Sequence, residues 1–150
     1  PQLEVLSQYR KNNEVSKITL VTGTTGNIFP TWNELYKTEK YIKQREYDMN
    51  FAYKYAIEHV DKIIITVNDP GYNDVDTLLK QQENIVKDKI NYQIVKSRKD
   101  AIICALDKIE TKEVIFISGR GNRELMCSID GINKHSDKQV VLDHLYKGDL

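Results

Sequence analysis

Three short polar loops carry the groups in this sequence that could hold a ligand. They are Gly23-Thr24-Thr25-Gly26, Asn68-Asp69-Pro70 and Gly119-Arg120-Gly121. Paired glycines let a backbone approach a phosphate, and an arginine between glycines offers a planar fork for a carboxylate or phosphate. The side chains of Asn68 and Asp69 suit an amine or a second carboxylate. We expect Arg120 at the surface, so that Arg120→Ala changes stability by about 1 kcal/mol or less.

These groups orient a ligand, and the sequence offers little else for chemistry. It contains neither the P-loop pattern G-x-x-x-x-G-K-[ST] nor the nucleophile pattern G-x-S-x-G. The three histidines, His59, His135 and His144, are scattered and have no metal-ligand spacing. We therefore predict no catalytic residue and no metal ligand in this chain.

The first loop opens like the dinucleotide fingerprint G-x-x-G-x-x-G. Its third glycine position holds Phe29, Pro30 follows, and no acidic residue ends a second strand about 20 residues on. A tight glycine turn is favoured over a dinucleotide site. A nucleotide-sugar or NAD-type oxidoreductase domain is left as the third alternative.

Each loop follows a run of hydrophobic or β-branched residues, namely Ile18–Thr22, Ile63–Val67 and Val114–Ile117. Such runs predict strands covered on both faces of an α/β sheet, and we take Val114–Ile117 as the central strand. Ligands in these folds bind beyond the carboxyl ends of the strands. The three loops should therefore form one composite site at one edge of the sheet.

The remaining chain alternates with these strands. Periodicity predicts helices near 1–12, 38–60, 75–86, 97–109 and 136–148, with Asp74, Ser97 and Ser136 as N-caps. Tyr92–Val95 is a short strand near the sheet edge, and Asp130-Gly131 joins an antiparallel hairpin. The order predicts one α/β domain over 1–150, a three-layer Rossmann-like fold whose sheet is mostly parallel with an antiparallel edge hairpin.

Composition excludes several classes of partner. Basic and acidic residues balance at 22 each, which argues against nucleic acid, and no apolar run reaches the ~18 residues of a membrane span. Cys104 and Cys127 are isolated, so we expect reduced thiols and a cytoplasmic protein, with a disulfide between them as the alternative. The chain starts at Pro1, and we expect a piece of a longer protein or a processed start.

From about Leu3 onward the chain resembles the C-terminal domain of the Mur ligase family, above all its tripeptide-forming members. Five motifs carry the resemblance, and they follow one another along this chain in the same order as in the family. The family's strand followed by Gly-Lys-Gly-His-Glu is similar to Ile117–Glu124, its Asp-Asn-Pro-Arg or Asp-Asn-Pro-Ala loop with an acidic pair downstream to Asn68–Asp74, and its later Asp-Asp-Arg-Glu to His135–Gln139. The family's first glycine loop is similar to Gly23–Gly26, and its helix start Lys-Arg-x-x-Met-x-x-x-Ala to Lys43–Ala52, with Arg45 on the arginine.

The resemblance implies a lid that closes over an upstream central ATPase domain of the same chain and binds the incoming amino acid. ATP and magnesium would serve the full-length enzyme, with no cofactor bound by this domain alone, and the substrates would be an amino acid and a nucleotide-sugar peptide. It implies substrate-binding roles for Asn68, Asp69, Pro70, Gly119, Arg120, Gly121 and Arg45, and nucleotide-proximal roles for Gly23, Thr24 and Gly26.

The chain departs from the family pattern in three places. An insertion with Phe29, Pro30 and Trp32 replaces the family's Gly-x-Arg-Asp, and Asn122-Arg123 replaces its His-Glu. Gly71 stands where the family has an arginine, which disfavours diaminopimelate as the amino acid. These departures leave a second reading open, a non-catalytic Rossmann-like binding or regulatory module that has lost the ligase site.

Overall fold

The structure is a computed structural model that describes residues 2–26 and 39–147. The segment around Phe29, Pro30 and Trp32 lies outside the described residues. Numbered in chain order, the described helices are α1 (Gln2–Lys11), α2 (Glu39–His59), α3 (Val75–Val86), α4 (Arg98–Asp107) and α5 (Asp137–Leu145). The strands are β1 (Lys17–Thr24), β2 (Lys62–Val67), β3 (Asn91–Ile94), β4 (Glu113–Ile117), β5 (Leu125–Ser128) and β6 (Gly131–Lys134).

The sheet confirms the predicted α/β, Rossmann-like class. Strands β3, β2, β1 and β4 lie side by side in that order, and every neighbouring pair is parallel. Val21 is in register with Ile64 on one side and Ile117 on the other, so the carboxyl ends of β1, β2 and β4 lie at one edge. The predicted hairpin is present and antiparallel, but β5 and β6 form a two-stranded sheet of their own.

Alternation along the strands builds a core on each face of the sheet. On one face, residues such as Ile18 and Ile63 pack with helices α2 and α3. On the other face, Val21 and Ile64 pack with the small side chains of α4, and Val140 of α5 packs against them. Because successive strand residues point to opposite faces, a run with no polar gap is covered on both sides and gives three layers.

Two strand predictions need correction. Strand β4 is not central: within the described residues it is the edge of the parallel sheet, paired with β1 alone, and its residues are half-buried. The side chains of β4 contact the cores on both faces of the sheet. Its sequence is therefore as continuously apolar as that of an interior strand. Strand β1 continues to Thr24 instead of ending at Thr22, which puts Gly23 inside a strand.

The three predicted helix N-caps are confirmed. Each cap side chain accepts a hydrogen bond from a backbone N–H three residues on: Asp74 from Thr77 at 2.8 Å, Ser97 from Asp100 at 3.2 Å, and Ser136 from Gln139 at 3.2 Å. These caps fix where α3, α4 and α5 begin, just beyond the sheet. Over residues 2–26 and 39–147, no helix has both the length and the apolar character to cross a membrane.

Candidate functional site

The three polar loops meet at the carboxyl edge of the sheet. The N–H of Gly26 donates to the Asp69 carbonyl at 2.7 Å, which joins the first loop to the second. The side-chain amide of Asn68 donates to the Gly119 carbonyl at 3.0 Å, which joins the second loop to the third. The structure thus brings together the loops that the sequence places after three separate strands.

Backbone packing fills the space beside the first-loop glycines. A Cβ added to Gly23 would lie 2.4 Å from the Thr66 carbonyl oxygen, and one added to Gly26 would lie 2.0 Å from the Pro70 carbonyl oxygen. Distances this short leave no room for a side chain. Gly23 thus lets β1 lie directly against the end of β2, and Gly26 lets the first loop lie directly against the second.

Arg120 is buried, which corrects the expectation of a surface fork. One Nη donates to Asp69 Oδ1 at 2.7 Å and the other to the Leu125 carbonyl. Its Nε is also buried and has no hydrogen-bond partner in the described structure. The guanidinium that the sequence suggests for a ligand therefore holds the protein's own second loop and hairpin.

Asp69 is the centre of this cluster. Besides Arg120, it accepts from Arg123 at 2.6 Å and from the Cys127 N–H at 3.1 Å, and the Gly71 N–H donates to the Cys127 carbonyl at 3.0 Å. Two guanidinium groups against one carboxylate leave a local surplus of positive charge. Cys127 and Cys104 are both free thiols, as predicted.

Arg123 was not singled out as a ligand-binding residue in the sequence. Its side chain is 51% exposed and also donates to the Gly119 carbonyl at 3.1 Å. It stands next to Gly121, where an added Cβ would meet nothing within 4 Å. The half-exposed cation and the open space beside Gly121 are the parts of this cluster that a ligand can reach.

A second buried arginine, Arg98, was also missed. It forms a bidentate pair with Asp137, with N···O distances of 2.8 and 2.7 Å. It also donates to the carbonyls of Val67 at 3.2 Å and Ser118 at 2.8 Å. Arg98 thereby ties the ends of β2 and β4 to the start of α5. One feature of the sequence points to a special role for Arg98. It is the first residue of α4, where the helix dipole disfavours a cation.

Asp137 is held in its ionised form. Burial alone would raise the pKa of its carboxyl, but the hydrogen bonds and charges of Arg98 and His135 outweigh burial and lower that pKa. His135 Nε2 lies 2.8 Å from Asp137 Oδ1. The Arg98–Asp137 pair therefore stays charged at neutral pH. Through Arg98 it holds the ends of β2 and β4, from which the second and third loops start.

Arg45 lies at a different part of the edge. It donates to the Thr25 carbonyl and, with Thr24, lines a hollow of about 680 Å³ beside α2 and α3. Among the described residues, the lining of this hollow includes neither Asp69 nor Arg120. The structure thus brings Arg45 to the first loop but not to the Asp69 cluster.

The described residues do not fit a metal ion. They contain no group of three or more His, Cys, Asp or Glu side chains arranged to hold one. The Asp69 carboxylate, the best placed oxygen ligand at this edge, already accepts three protein hydrogen bonds. The arrangement can bind and orient an anionic group.

Comparison with known proteins gives a consistent set of relatives. No protein-family model matches the chain. It is 26% identical over 119 residues to a UDP-N-acetylmuramyl-tripeptide synthetase of Limosilactobacillus reuteri, covering 78% of this chain and 20% of that protein. It is 33% identical over 89 residues to a UDP-N-acetylmuramoyl-L-alanyl-D-glutamate–2,6-diaminopimelate ligase of Buchnera aphidicola subsp. Schizaphis graminum, covering 58% and 18%.

A solved structure agrees on the fold. The structure of a UDP-N-acetylmuramoyl-L-alanyl-D-glutamate–2,6-diaminopimelate ligase matches with a TM-score of 0.73 at 13% identity, over 99% of this chain and 27% of that chain. The fold is that of a Rossmann-like α/β domain. The sequence matches are to Mur ligases and lie in the C-terminal portion of those proteins, which confirms the resemblance carried by the motifs. The chain spans about a fifth of the length of the curated relatives it matches.

Proposed function

We propose that this chain is the C-terminal, amino-acid-binding lid domain of an ATP-dependent amide ligase that acts on peptidoglycan precursors. The observation that carries the proposal is the convergence of three loops, after β1, β2 and β4, around the Asp69–Arg120 pair. Relatives named as tripeptide synthetases and diaminopimelate ligases support the same class of reaction.

In this proposal the buried and exposed arginines have different roles. Arg120 fixes Asp69 and the hairpin, and Asn68 holds the Gly119 carbonyl. The rim of the site, formed by the loops Asn68–Pro70 and Gly119–Gly121, is therefore rigid before a ligand arrives. The half-exposed Arg123 then binds the carboxylate of the amino acid, whose body occupies the open space beside Gly121. A guanidinium with unused N–H donors is well suited to a carboxylate.

The domain contributes positioning, while the phosphoryl chemistry belongs to the rest of the enzyme. Kinship with Mur ligases implies that ATP and magnesium serve the full-length protein, through an upstream ATPase domain, in the cytoplasm. This chain has no P-loop sequence to hold them. Its own part is to bind the amino acid, orient its amine and exclude water from the closed site.

A second function has one observation in its favour. Asp69 is saturated by three protein donors, and both terminal nitrogens of Arg120 are engaged within the protein. A site whose buried carboxylate is satisfied within the protein also suits a non-catalytic binding or regulatory module that keeps the fold without the ligase reaction.

Two measurements separate these functions. First, the 150-residue chain is titrated with L-lysine, meso-diaminopimelate and a panel of other amino acids, following backbone amide shifts by NMR. We expect the shifts to centre on Gly119 to Arg123, with Arg123→Gln weakening binding about tenfold or more, as loss of a charged hydrogen bond does. Arg10→Gln removes an arginine that pairs with Asp61, just before β2 and so at the opposite end of that strand from the loops, and is the control.

Second, the complete open reading frame is expressed and amino-acid-dependent ADP release is measured. Binding together with turnover supports the ligase, and binding without turnover supports the module. If no amino acid shifts the residues from Gly119 to Arg123, the proposed site is wrong.

A further inference from the structure

A second cavity lies beside the start of the hairpin, where Leu125, whose carbonyl accepts from Arg120, is one of its lining residues. It measures about 710 Å³ and is bounded by α4, the end of β6 and α5. None of Asn68, Asp69 or Arg120 is among its described lining residues. Its size falls within the range of roughly 300–1,000 Å³ that is usual for small-molecule sites.

Three lysines from separate parts of the chain line this cavity. They are Lys99 of α4, Lys134 of β6 and Lys147 just after α5. None of them forms an ion pair or side-chain hydrogen bond with another described residue, whereas Lys17, Lys80 and other lysines do. Because basic and acidic residues are equal in number over the chain, this concentration of unpaired ammonium groups is local. Their mutual repulsion would be relieved by a bound anion.

Two histidines at the cavity are held in fixed orientations. His135 Nε2 lies 2.8 Å from Asp137 Oδ1, and His144 Nε2 lies 2.7 Å from Asp107 Oδ1. A carboxylate at one ring nitrogen orients the imidazole and leaves the other nitrogen for a further partner. The cavity wall is therefore ordered where His135 and His144 line it.

The remaining lining limits the ligand further. Glu124 and Asp143 also line the cavity, and the Asp143 carboxylate accepts a hydrogen bond from Gln139 at 2.6 Å. With three lysines against two carboxylates, the lining carries a net charge of +1 before any histidine is counted. Ile103 and Val140 are half-buried parts of the same wall. The site thus combines separated cations with an apolar surface.

We propose that this cavity binds a phosphorylated small molecule that also carries an apolar group. Lysine is a compact point charge, and several lysines approaching from different elements suit an anion with oxygens on all sides better than a planar carboxylate. The apolar wall at Ile103 and Val140 receives the rest of the ligand. The Glu124 carboxylate repels anions, so a ligand with more negative charge than a single phosphoryl group is disfavoured.

The test is an NMR titration of the 150-residue chain with phenyl phosphate, inorganic phosphate and benzoate at constant ionic strength. We expect saturable shifts around Lys99, Lys134 and Ser136, with phenyl phosphate binding about tenfold more tightly than inorganic phosphate because its ring is buried. Benzoate, which has the ring and a carboxylate, should bind more weakly than phenyl phosphate.

Charge variants make the test specific. The triple change Lys99→Gln, Lys134→Gln and Lys147→Gln should weaken phenyl phosphate binding about tenfold or more, since three cations are lost. The matched triple Lys11→Gln, Lys40→Gln and Lys87→Gln alters the net charge equally at other exposed positions and should leave it unchanged. Glu124→Gln should tighten binding by removing a repulsive carboxylate.

Three results would overturn the proposal. Shifts that stay linear in phosphate concentration mean that there is no site. Equal weakening by both lysine triples means non-specific charge attraction. Benzoate binding as tight as phenyl phosphate means that the cavity does not recognise a phosphoryl group.

Discussion

Arg120 and Asp69 form a salt bridge of 2.7 Å in which the two side chains are 0% and 3% exposed. The pair joins the loop after β4 to the loop after β2, and through the Leu125 carbonyl it also holds the start of the hairpin. A charge pair taken out of water needs nearly complete hydrogen bonding, and Asp69 has it. The pair therefore organises the rim instead of facing solvent.

Arg120→Ala should destabilise the domain by about 3–5 kcal/mol, because it leaves Asp69 buried with part of its pairing lost. This reverses the sequence-based expectation of a near-neutral change. The measurement is urea unfolding followed by circular dichroism. Arg123→Ala, which removes the half-exposed partner of the same carboxylate, is the control and should cost about 1 kcal/mol or less. Equal losses for the two variants would contradict the assigned burial.

Asp137 gives a prediction about pH. Its folded pKa is below the ordinary 3.8, so its ionised form contributes stability that is present above 3.8 and is lost as pH falls through the folded value. The difference in unfolding free energy between the natural chain and Asp137→Asn should be full near neutral pH and shrink below pH 3.8. Asp130→Asn, at the exposed hairpin turn, is the control. A constant difference for Asp137→Asn would be the contrary result.

The hydroxyl of Tyr53 donates a hydrogen bond to the Gln82 side-chain oxygen inside the core between α2 and α3. Burial raises the pKa of this hydroxyl, which keeps it protonated and able to donate. Tyr53→Phe leaves the buried Gln82 oxygen without its donor and should cost about 1–3 kcal/mol in thermal or urea unfolding. Tyr47→Phe alters an exposed tyrosine of the same helix and should be close to neutral. A neutral Tyr53→Phe would mean that the bond does not form.

Two glycines with similar backbone angles separate strain from crowding. Gly119 has φ +106° and an added Cβ would lie 3.1 Å from Asn68 Nδ2, while Gly131 has φ +115° and an added Cβ meets nothing within 4 Å. Both Gly→Ala changes carry the backbone penalty of about 1–3 kcal/mol. Gly119→Ala should lose more, and its NMR shifts should reach Asn68. Indistinguishable losses in urea unfolding would show that the third loop is not packed against the second.

The sequence predicted the layers well because burial on both faces and helix capping are local signals. The burial of Ile18 and Ile63 and the capping role of Ser97 can each be predicted from the few residues on either side. Edge or interior position in a sheet is not local: Val114–Ile117 is as apolar as an inner strand because its side chains reach both cores. Its place was therefore misjudged.

Only part of the candidate site could be predicted from the sequence, for a related reason. Loops that follow parallel strands must share an edge, so the meeting of Asn68 with Gly119 follows from topology. Whether an arginine faces the solvent or the protein depends on partners far along the chain. Arg120 finds Asp69 51 residues away, and Arg98 finds Asp137 39 residues away. No rule of residue spacing predicts such pairs from the sequence.

The hairpin is held to the neighbouring loops through Leu125 and Cys127. Cys127 is bonded through its N–H to Asp69 and through its carbonyl to Gly71, and it pairs across the hairpin with Ile132, whose side chain is mostly exposed. One pair of facing residues therefore separates a solvent-exposed side chain from the Asp69 carboxylate. A touch at Ile132, whether from another part of the chain or from another molecule, would be transmitted to the Asp69 carboxylate, and so to the rim of the candidate site.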